Sequence, residues 1–323
     1  VAVSIYHVRA PPAYAGDTNI NIPDSAEGGE AMLGSEPCIL DELARLRSKL
    51  ASYISSSLKS LFSGFSDEIW YMLHGGKMLR GAITLFVAEK FGCRDADALP
   101  IAFAVELMHA SSLVYDDISD GAEIRRGRPS YWKKYGLDEA VVAPHVAMST
   151  AISLIARHGG VEAVQESMAA WRMAAEGQLW DVRAKKGLEV REPYRRVAAL
   201  KTGAVFAAAC TLPLYPVGRH DVLTSAREFG LSLGTAYQVL DDIVDLARGM
   251  SDSGSSLILL RESGGDFLGY GLSLLKEELS KLRAQSSKMS GGFWELSVET
   301  LKVFASDAGG DIEERVRELL HEL

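Results

Sequence analysis

The chain has 323 residues, 47% hydrophobic and 24% charged, with a formal net charge of −9 at pH 7. This is the balance of a soluble globular protein with room for a sizeable core, and its acidity argues against nucleic acid as the main partner. Three scattered cysteines, Cys38, Cys93 and Cys210, lack metal-type spacing and suggest a reducing compartment, so a cytoplasmic location is expected.

Residues 1–36 are rich in Pro, Gly, Ala, Asn and Asp and show no period, which predicts a flexible N-terminal extension before a domain over 37–323. Acids are present there and Arg is nearly absent, unlike a transit peptide, and no charged start precedes an apolar block as in a secretory signal. From Ile39, ILDELARLRSKLASYISSSLKSLF repeats apolar positions every three or four residues, which predicts a helix. Further helices are predicted over 77–92, 95–119, 138–156, 159–181, 191–211, 219–247, 266–285, 292–306 and 310–322. Alternating strand patterns are scarce, so the fold class is all-α. Segments 101–115 and 197–212 are apolar nearly all round and belong inside a bundle. TGAVFAAACTLPLYPV, the strongest apolar run, is broken by Pro213 and Pro216 and falls short of the roughly 18 residues of a membrane helix, so no integral membrane segment is expected. GAEIRRGRPSYWKKYG and ARGMSDSGSS read as working loops, and 253–271 as weakly ordered.

Two apolar helices carry lines of acid. In AVELMHASSLVYDDISD, Glu106, His109, Asp116, Asp117 and Asp120 recur at helical spacing. FGLSLGTAYQVLDDIVDLA repeats the design with Gln238, Asp241, Asp242 and Asp245. A lone DDxxD is most simply a solvated face. Here the flanking faces are apolar too, which points to stripes lining a polar cavity inside the bundle. Carboxylates this close repel unless neutralised, and Mg²⁺ takes one or two carboxylates plus substrate phosphates. Zinc has no His/Cys set of suitable spacing.

The cationic counterpart is GGKMLRG. Lys77 and Arg80 stand three apart at a predicted helix start, after Gly75 and Gly76, which suits an anion. Arg125 and Arg126 add planar forks that match phosphate, and Lys201 is an inward charge on an apolar helix.

From about residue 70 to 247 the chain resembles the trans-isoprenyl diphosphate synthases, the all-helical polyprenyl synthetase family. GGKMLR resembles GGKxxR, and ELMHASSLVYDDISDGAEIRRG the first aspartate-rich motif with its trailing RRG. EGQLWD, ALKTGAVF and GTAYQVLDDIVD resemble the GQxxD, KT and second aspartate-rich motifs, in family order. The resemblance implies a single-domain helical bundle around a central cavity, the isoprenoid synthase fold. It implies a transferase of isoprenoid biosynthesis that condenses isopentenyl diphosphate with an allylic diphosphate to a linear trans-polyprenyl diphosphate. It also implies three Mg²⁺ per active site, with Mn²⁺ able to substitute, and a homodimer formed through helices beside the active site. By the same resemblance, Asp116, Asp120 and Asp241 would be principal metal ligands, supported by Asp117, Asp242 and Asp245. Lys77, Arg80, His109 and Arg126 would bind isopentenyl diphosphate, and Arg125 and Lys201 would grip the allylic diphosphate. Thr202 and Gln238 would place oxygen dipoles near the allylic cation, and Gln178 and Asp181 would complete the polar wall.

The family's product length is set by residues one and two turns before the first aspartate. Ser111, Ser112 and Met108 stand there, which leaves the first turn open and the second partly closed and predicts C20. Two departures stand out. Gly81 replaces the usual Pro. After Asp245, where members carry a GK loop whose lysine helps hold the diphosphate, no lysine precedes Lys276, and Arg248 or Arg261 would have to substitute. Two alternatives remain: a class I terpene synthase-like cyclase, and a regulatory subunit of a heteromeric prenyl synthase.

Overall fold

The structure, a computed structural model, describes residues 38–249, 253–306 and 310–322. The expected N-terminal extension over 1–36 lies outside the described residues. Helix α1 (Ile39–Leu61) turns Leu43, Leu46, Leu50 and Ile54 into the core at helical spacing. A short α2 (Ser66–Leu73), not expected from sequence, follows; eight residues are too few for a period to stand out. Helix α3 (Leu79–Lys90) leads to α4 (Asp95–Asp120), which ends on Gly121 in the left-handed conformation (φ 65°).

Strands β1 (Ile124–Arg125) and β2 (Arg128–Pro129) form a hairpin pairing Ile124 with Pro129 and Arg125 with Arg128. Arg126 and Gly127 at its tip both have positive φ (53° and 71°), as a two-residue turn of this hand requires. After α5 (Tyr131–Tyr135) comes α6 (Leu137–Lys185), broken at Gly160 (φ 80°, ψ −174°). The break accounts for the two separate helices predicted over 138–156 and 159–181. The helix predicted over 191–211 is α7 (Tyr194–Ala198), a π turn (Ala199–Gly203) and α8 (Ala204–Thr211). Then come α9 (Leu223–Ala247), α10 (Gly254–Glu262), α11 (Phe267–Ser286), α12 (Phe293–Ser306) and α13 (Gly310–Glu322).

The expectation of weak order over 253–271 is corrected by α10. Ser253 caps it by accepting from the Ser256 N–H at 3.0 Å, and Ile258 and Leu259 bury its apolar side. The Gly/Ser-rich start hid a cap.

Helix α4 runs through the middle of the bundle against α3 and α6, while α9 packs on α8 and α11. It is buried nearly all round, as predicted. Phe86 and Phe229 both meet the ring of Phe293 edge-on at 5.3 Å, tying α3, α9 and α12 together. Each such fully buried ring contributes about 2–3 kcal/mol of burial.

Three helical stretches among the described residues are long and apolar enough to cross a membrane: α4, α6 and residues 194–214. Within the bundle 72% of the apolar window of α4 and 83% of that of 194–214 are buried, so their apolar surface is spent on protein contacts. Helix α6 buries only 39% of its window and leaves Leu137, Val141, Val142 and Val146 exposed.

Candidate active site

The basic wall is built where the β1–β2 hairpin meets the turn after α2. Arg126 donates to the carbonyls of Leu73 and His74 at 3.3 Å each. Its guanidinium lies flat on Gly76, where an added Cβ would sit 2.9 Å from Nη1, so the second glycine of GGKMLR makes room for this arginine. Met78, with φ 46°, turns the chain into α3, a strained conformation of the kind found at functional sites. Arg80, in the first turn of α3, is half-buried, lies 4.7 Å over the ring of Phe206 and donates to His109 Nε2 at 3.1 Å. A guanidinium cannot accept, so Nε2 is the acceptor and the ring proton sits on Nδ1. Burial and the nearby Arg80 hold the His109 pKa well below its ordinary value, so the ring is neutral. Lys77 reaches 5.4 Å from the ring centre of Phe304.

Glu106 is buried on the same side of α4 and accepts from the Gly81 N–H at 2.7 Å. Gly81, the small departure in the first motif, thus supplies a hydrogen bond that proline could not.

The acidic wall lies further along α4 and on α9. The carboxyls of Asp116 and Asp241 have no hydrogen-bond or ion-pair partner among the described residues. Burial, then Lys201 in opposition and Asp120 in support, leaves the Asp116 carboxyl pushed up to about 6. Burial with Asp242 and Asp245 beside it pushes Asp241 to about 7. Lys201 acts on both carboxyls, so the two clusters face a common ammonium. Burial works against the charge on Lys201, but Asp181 and Asp116 outweigh it and raise its pKa. Its Nζ lies 2.8 Å from Asp181 Oδ1.

The π turn places Lys201 and Thr202; such bulges mark functional sites. Thr202 donates to Gln238 Oε1 at 2.5 Å. Gly177, the glycine of EGQLWD, lets α6 touch this turn: an added Cβ would lie 2.7 Å from Lys201 Cα. Gln178 Nε2 reaches Ser119 Oγ at 3.4 Å, and its buried Oε1 has no partner among the described residues.

The second members of the two aspartate pairs are placed differently. Asp117 is held by Arg125 through Nε (2.8 Å) and Nη2 (2.5 Å). Asp242, fully buried, accepts from Tyr194 Oη (2.7 Å) and from Ser253, Ser255 and Ser256 Oγ (3.0, 2.9 and 2.8 Å). Asp242 is thus met on both oxygens, while both bonds from Arg125 fall on Oδ1 of Asp117. Asp245 is half-buried one turn after Asp241. Arg261 stands on the last turn of α10, far from the end that meets Asp242, and is exposed.

These residues fit hard divalent cations. Asp116 and Asp241 are oxygen donors left without a proton donor, in a place where burial, and after it the neighbouring carboxylates, keeps their pKa up. No three His, Cys, Asp or Glu groups among the described residues make a closed metal site, so remaining ligands would have to come from substrate or water.

Beside the site runs a narrow apolar cleft lined by Val105, Met108, His109 and Ser112 of α4, Ala170, Trp171 and Ala174 of α6, and Val205, Ala208 and Leu212. Its free volume is about 30 Å³, the space of a single water. Ser111 is not in it: fully buried, it turns toward α6 and donates to the carbonyls of Leu107 (2.8 Å) and Pro144 (3.4 Å). Sequence reasoning missed Trp171, Tyr194, the three serines on Asp242 and Lys185, whose i, i+4 spacing from Asp181 was the one available signal.

The polyprenyl synthetase family model matches residues 63–257, more than half of the chain. A short chain isoprenyl diphosphate synthase of Methanothermobacter thermautotrophicus is 34% identical over 53% of this chain and 55% of its own length. A geranylfarnesyl diphosphate synthase of Methanosarcina mazei is 30% identical over 60% of this chain and 68% of its own. The alignments therefore span only about half to two thirds of these relatives. Among solved structures, a polyprenyl synthase of Caulobacter crescentus complexed with calcium and isoprenyl diphosphate superposes with a TM-score of 0.67 at 20% identity, covering 89% of this chain and 99% of that one. The all-α isoprenoid synthase fold is thus matched across nearly the whole chain, and the motifs read from sequence fall inside the matched span: the chain belongs to the polyprenyl synthetase family.

Proposed function

We propose that the chain is a prenyltransferase that joins isopentenyl diphosphate to an allylic diphosphate and yields a linear trans-polyprenyl diphosphate, C20 as the main product. The observation that carries this reading is the pair Asp116 and Asp241, two half-buried carboxyls from different helices that both feel the ammonium of Lys201 and have no side-chain donor among the described residues. The names of the relatives, and the calcium and isoprenyl diphosphate of the Caulobacter structure, support the same chemistry.

Asp116, Asp120 and Asp241 would hold Mg²⁺ (or Mn²⁺), which when bound stabilises the departing diphosphate. Lys201 and Arg125 add positive charge on the same side. Arg80, Arg126, Lys77 and neutral His109 hold the diphosphate of isopentenyl diphosphate. The allylic C–O bond breaks with its electron pair leaving on the diphosphate. The isopentenyl double bond attacks the allylic carbon, and the released diphosphate takes the proton whose loss restores a double bond. Thr202 and Gln238 turn oxygen dipoles toward the developing cation, and the apolar cleft keeps out water that would quench it. Chain growth runs into that cleft, where Met108 and Trp171 must shift to admit a C20 tail.

The exposed Leu137, Val141, Val142 and Val146 of α6 support a homodimer through this helix, which light scattering tests. The reaction is tested by metal dependence. Asp116→Ala and Asp241→Ala should each lower kcat by about 10²-fold or more, and excess EDTA should abolish turnover.

A further inference from the structure

We propose that Lys185 is a second ammonium for the allylic diphosphate, filling from α6 the role left open by the absence of any lysine between Asp245 and Lys276. The inference rests on the prenyltransferase reading. Lys185 lies one helical turn after Asp181, so both side chains leave the same face of α6. Its Nζ stands 2.7 Å from Asp120 Oδ1 and 3.5 Å from Asp181 Oδ2. Lys201 approaches the same Asp181 carboxylate from the π turn, at 2.8 Å. Two ammoniums therefore bracket one buried carboxylate, at the edge of the cluster that holds Asp116 and Asp120.

Asp181 has closer partners than Lys185. It already accepts from Lys201 and from the N–H groups of Gly254 (3.2 Å) and Ser255 (3.0 Å), and its side chain is fully buried. Burial alone would raise its pKa; Lys201, then Lys185 and the Ser255 N–H, outweigh it and hold the group ionised. The close partner of Lys185 is Asp120. With its oxygens committed to a divalent cation, Asp120 would no longer hold Lys185; Asp181 would still keep the ammonium beside the cluster, free to pair with the diphosphate of the substrate. The start of α10 supplies no donor either: its serine hydroxyls bond Asp242 and the N–H groups of Gly254 and Ser255 bond Asp181. Lysine suits the role as a mobile point charge that changes partner without a fixed fork geometry.

Steady-state kinetics of Lys185→Gln and Lys185→Arg, with each substrate varied in turn, tests the assignment. Lys185→Gln should raise KM for the allylic diphosphate about tenfold or more and leave KM for isopentenyl diphosphate within about twofold; Lys185→Arg should recover most of the loss. A helix-to-helix ion pair without contact to substrate would move Tm and leave that KM ratio unchanged, which overturns the proposal, as does an equal rise for both substrates. Calorimetry with Mg²⁺ and inorganic diphosphate separates this from failure of the functional reading. If the wild type extends no primer, that reading falls, and Lys185 is still decided. Diphosphate binding weakened about tenfold in Lys185→Gln upholds it, and equal binding overturns it.

Discussion

The hydroxyl of Tyr194 on α7 donates to the Asp242 carboxylate on α9 at 2.7 Å, and three serines at the start of α10 complete the same carboxylate. Neighbouring aspartates in one motif are thereby split in role. Asp242 fastens three helices together, while Asp241 keeps its oxygens uncommitted.

The split predicts opposite effects on stability. Asp242→Ala leaves three buried hydroxyls and the half-buried one of Ser253 without their acceptor and should cost about 2–4 kcal/mol, a drop of several degrees in Tm. Asp241→Asn, measured in EDTA, should stabilise. The sign follows from the raised pKa: the unfolded carboxyl ionises near 3.9, the folded one only at about 7. Between those values the folded state holds the extra proton, so the metal-free wild type loses stability as pH rises through that window. Asp241→Asn should flatten this loss. A thermal scan of both variants from pH 4 to 8 checks it, and a destabilised Asp241→Asn at pH 7 contradicts it.

Gly81 and Glu106 give a second test. Proline at 81, usual in the family, would remove the N–H that Glu106 accepts and press its Cβ into Leu50. Gly81→Pro should therefore lower stability by about 1–3 kcal/mol in this chain. Denaturant unfolding decides, and an unchanged midpoint would show that the bond contributes nothing.

Arg80 is half-buried with a neutral imidazole as its hydrogen-bond partner, and Glu106 acts on it only through space, so its guanidinium can still pair with an anion. Arg80→Ala should raise KM for isopentenyl diphosphate by about 10–100-fold, the worth of one charged hydrogen bond, and change KM for the primer little. Equal changes for both substrates would remove Arg80 from that site.

The cleft predicts product length residue by residue. Trp171→Ala and Met108→Ala should open it and lengthen the product, and Ser112→Phe should shorten it toward C15. Ser111→Phe should instead destabilise by about 1–3 kcal/mol, because Ser111 is fully buried against α6 and does not face the cleft. Chromatography of products sorts these outcomes. Shortening by a stable Ser111→Phe would place the floor on the α6 side.

Most of the fold was legible because its elements are long. The period of α1 and α4 and the glycine break in α6 appear directly in the residue pattern. The aspartates and cations of the site were legible from spacing on apolar helices. What was not legible depends on partners brought from far along the chain. Tyr194 and Asp242 are 48 residues apart, and Ser255 and Asp181 are 74 apart. Nothing local told Asp241 from Asp242, or Ser111 from Ser112, since burial on one side of a helix or the other is decided by the neighbour it meets. The order of α10 was hidden because Gly and Ser usually mark loops, and here they cap a helix on buried carboxylates.

The most direct measurement is product analysis after incubation with isopentenyl diphosphate, Mg²⁺ and each of the C5, C10 and C15 allylic primers in turn. The account predicts linear diphosphates with C20 dominant, formed only with metal and lost in Asp116→Ala. A cyclic hydrocarbon from the primer alone, or no consumption of isopentenyl diphosphate with any primer, would contradict it.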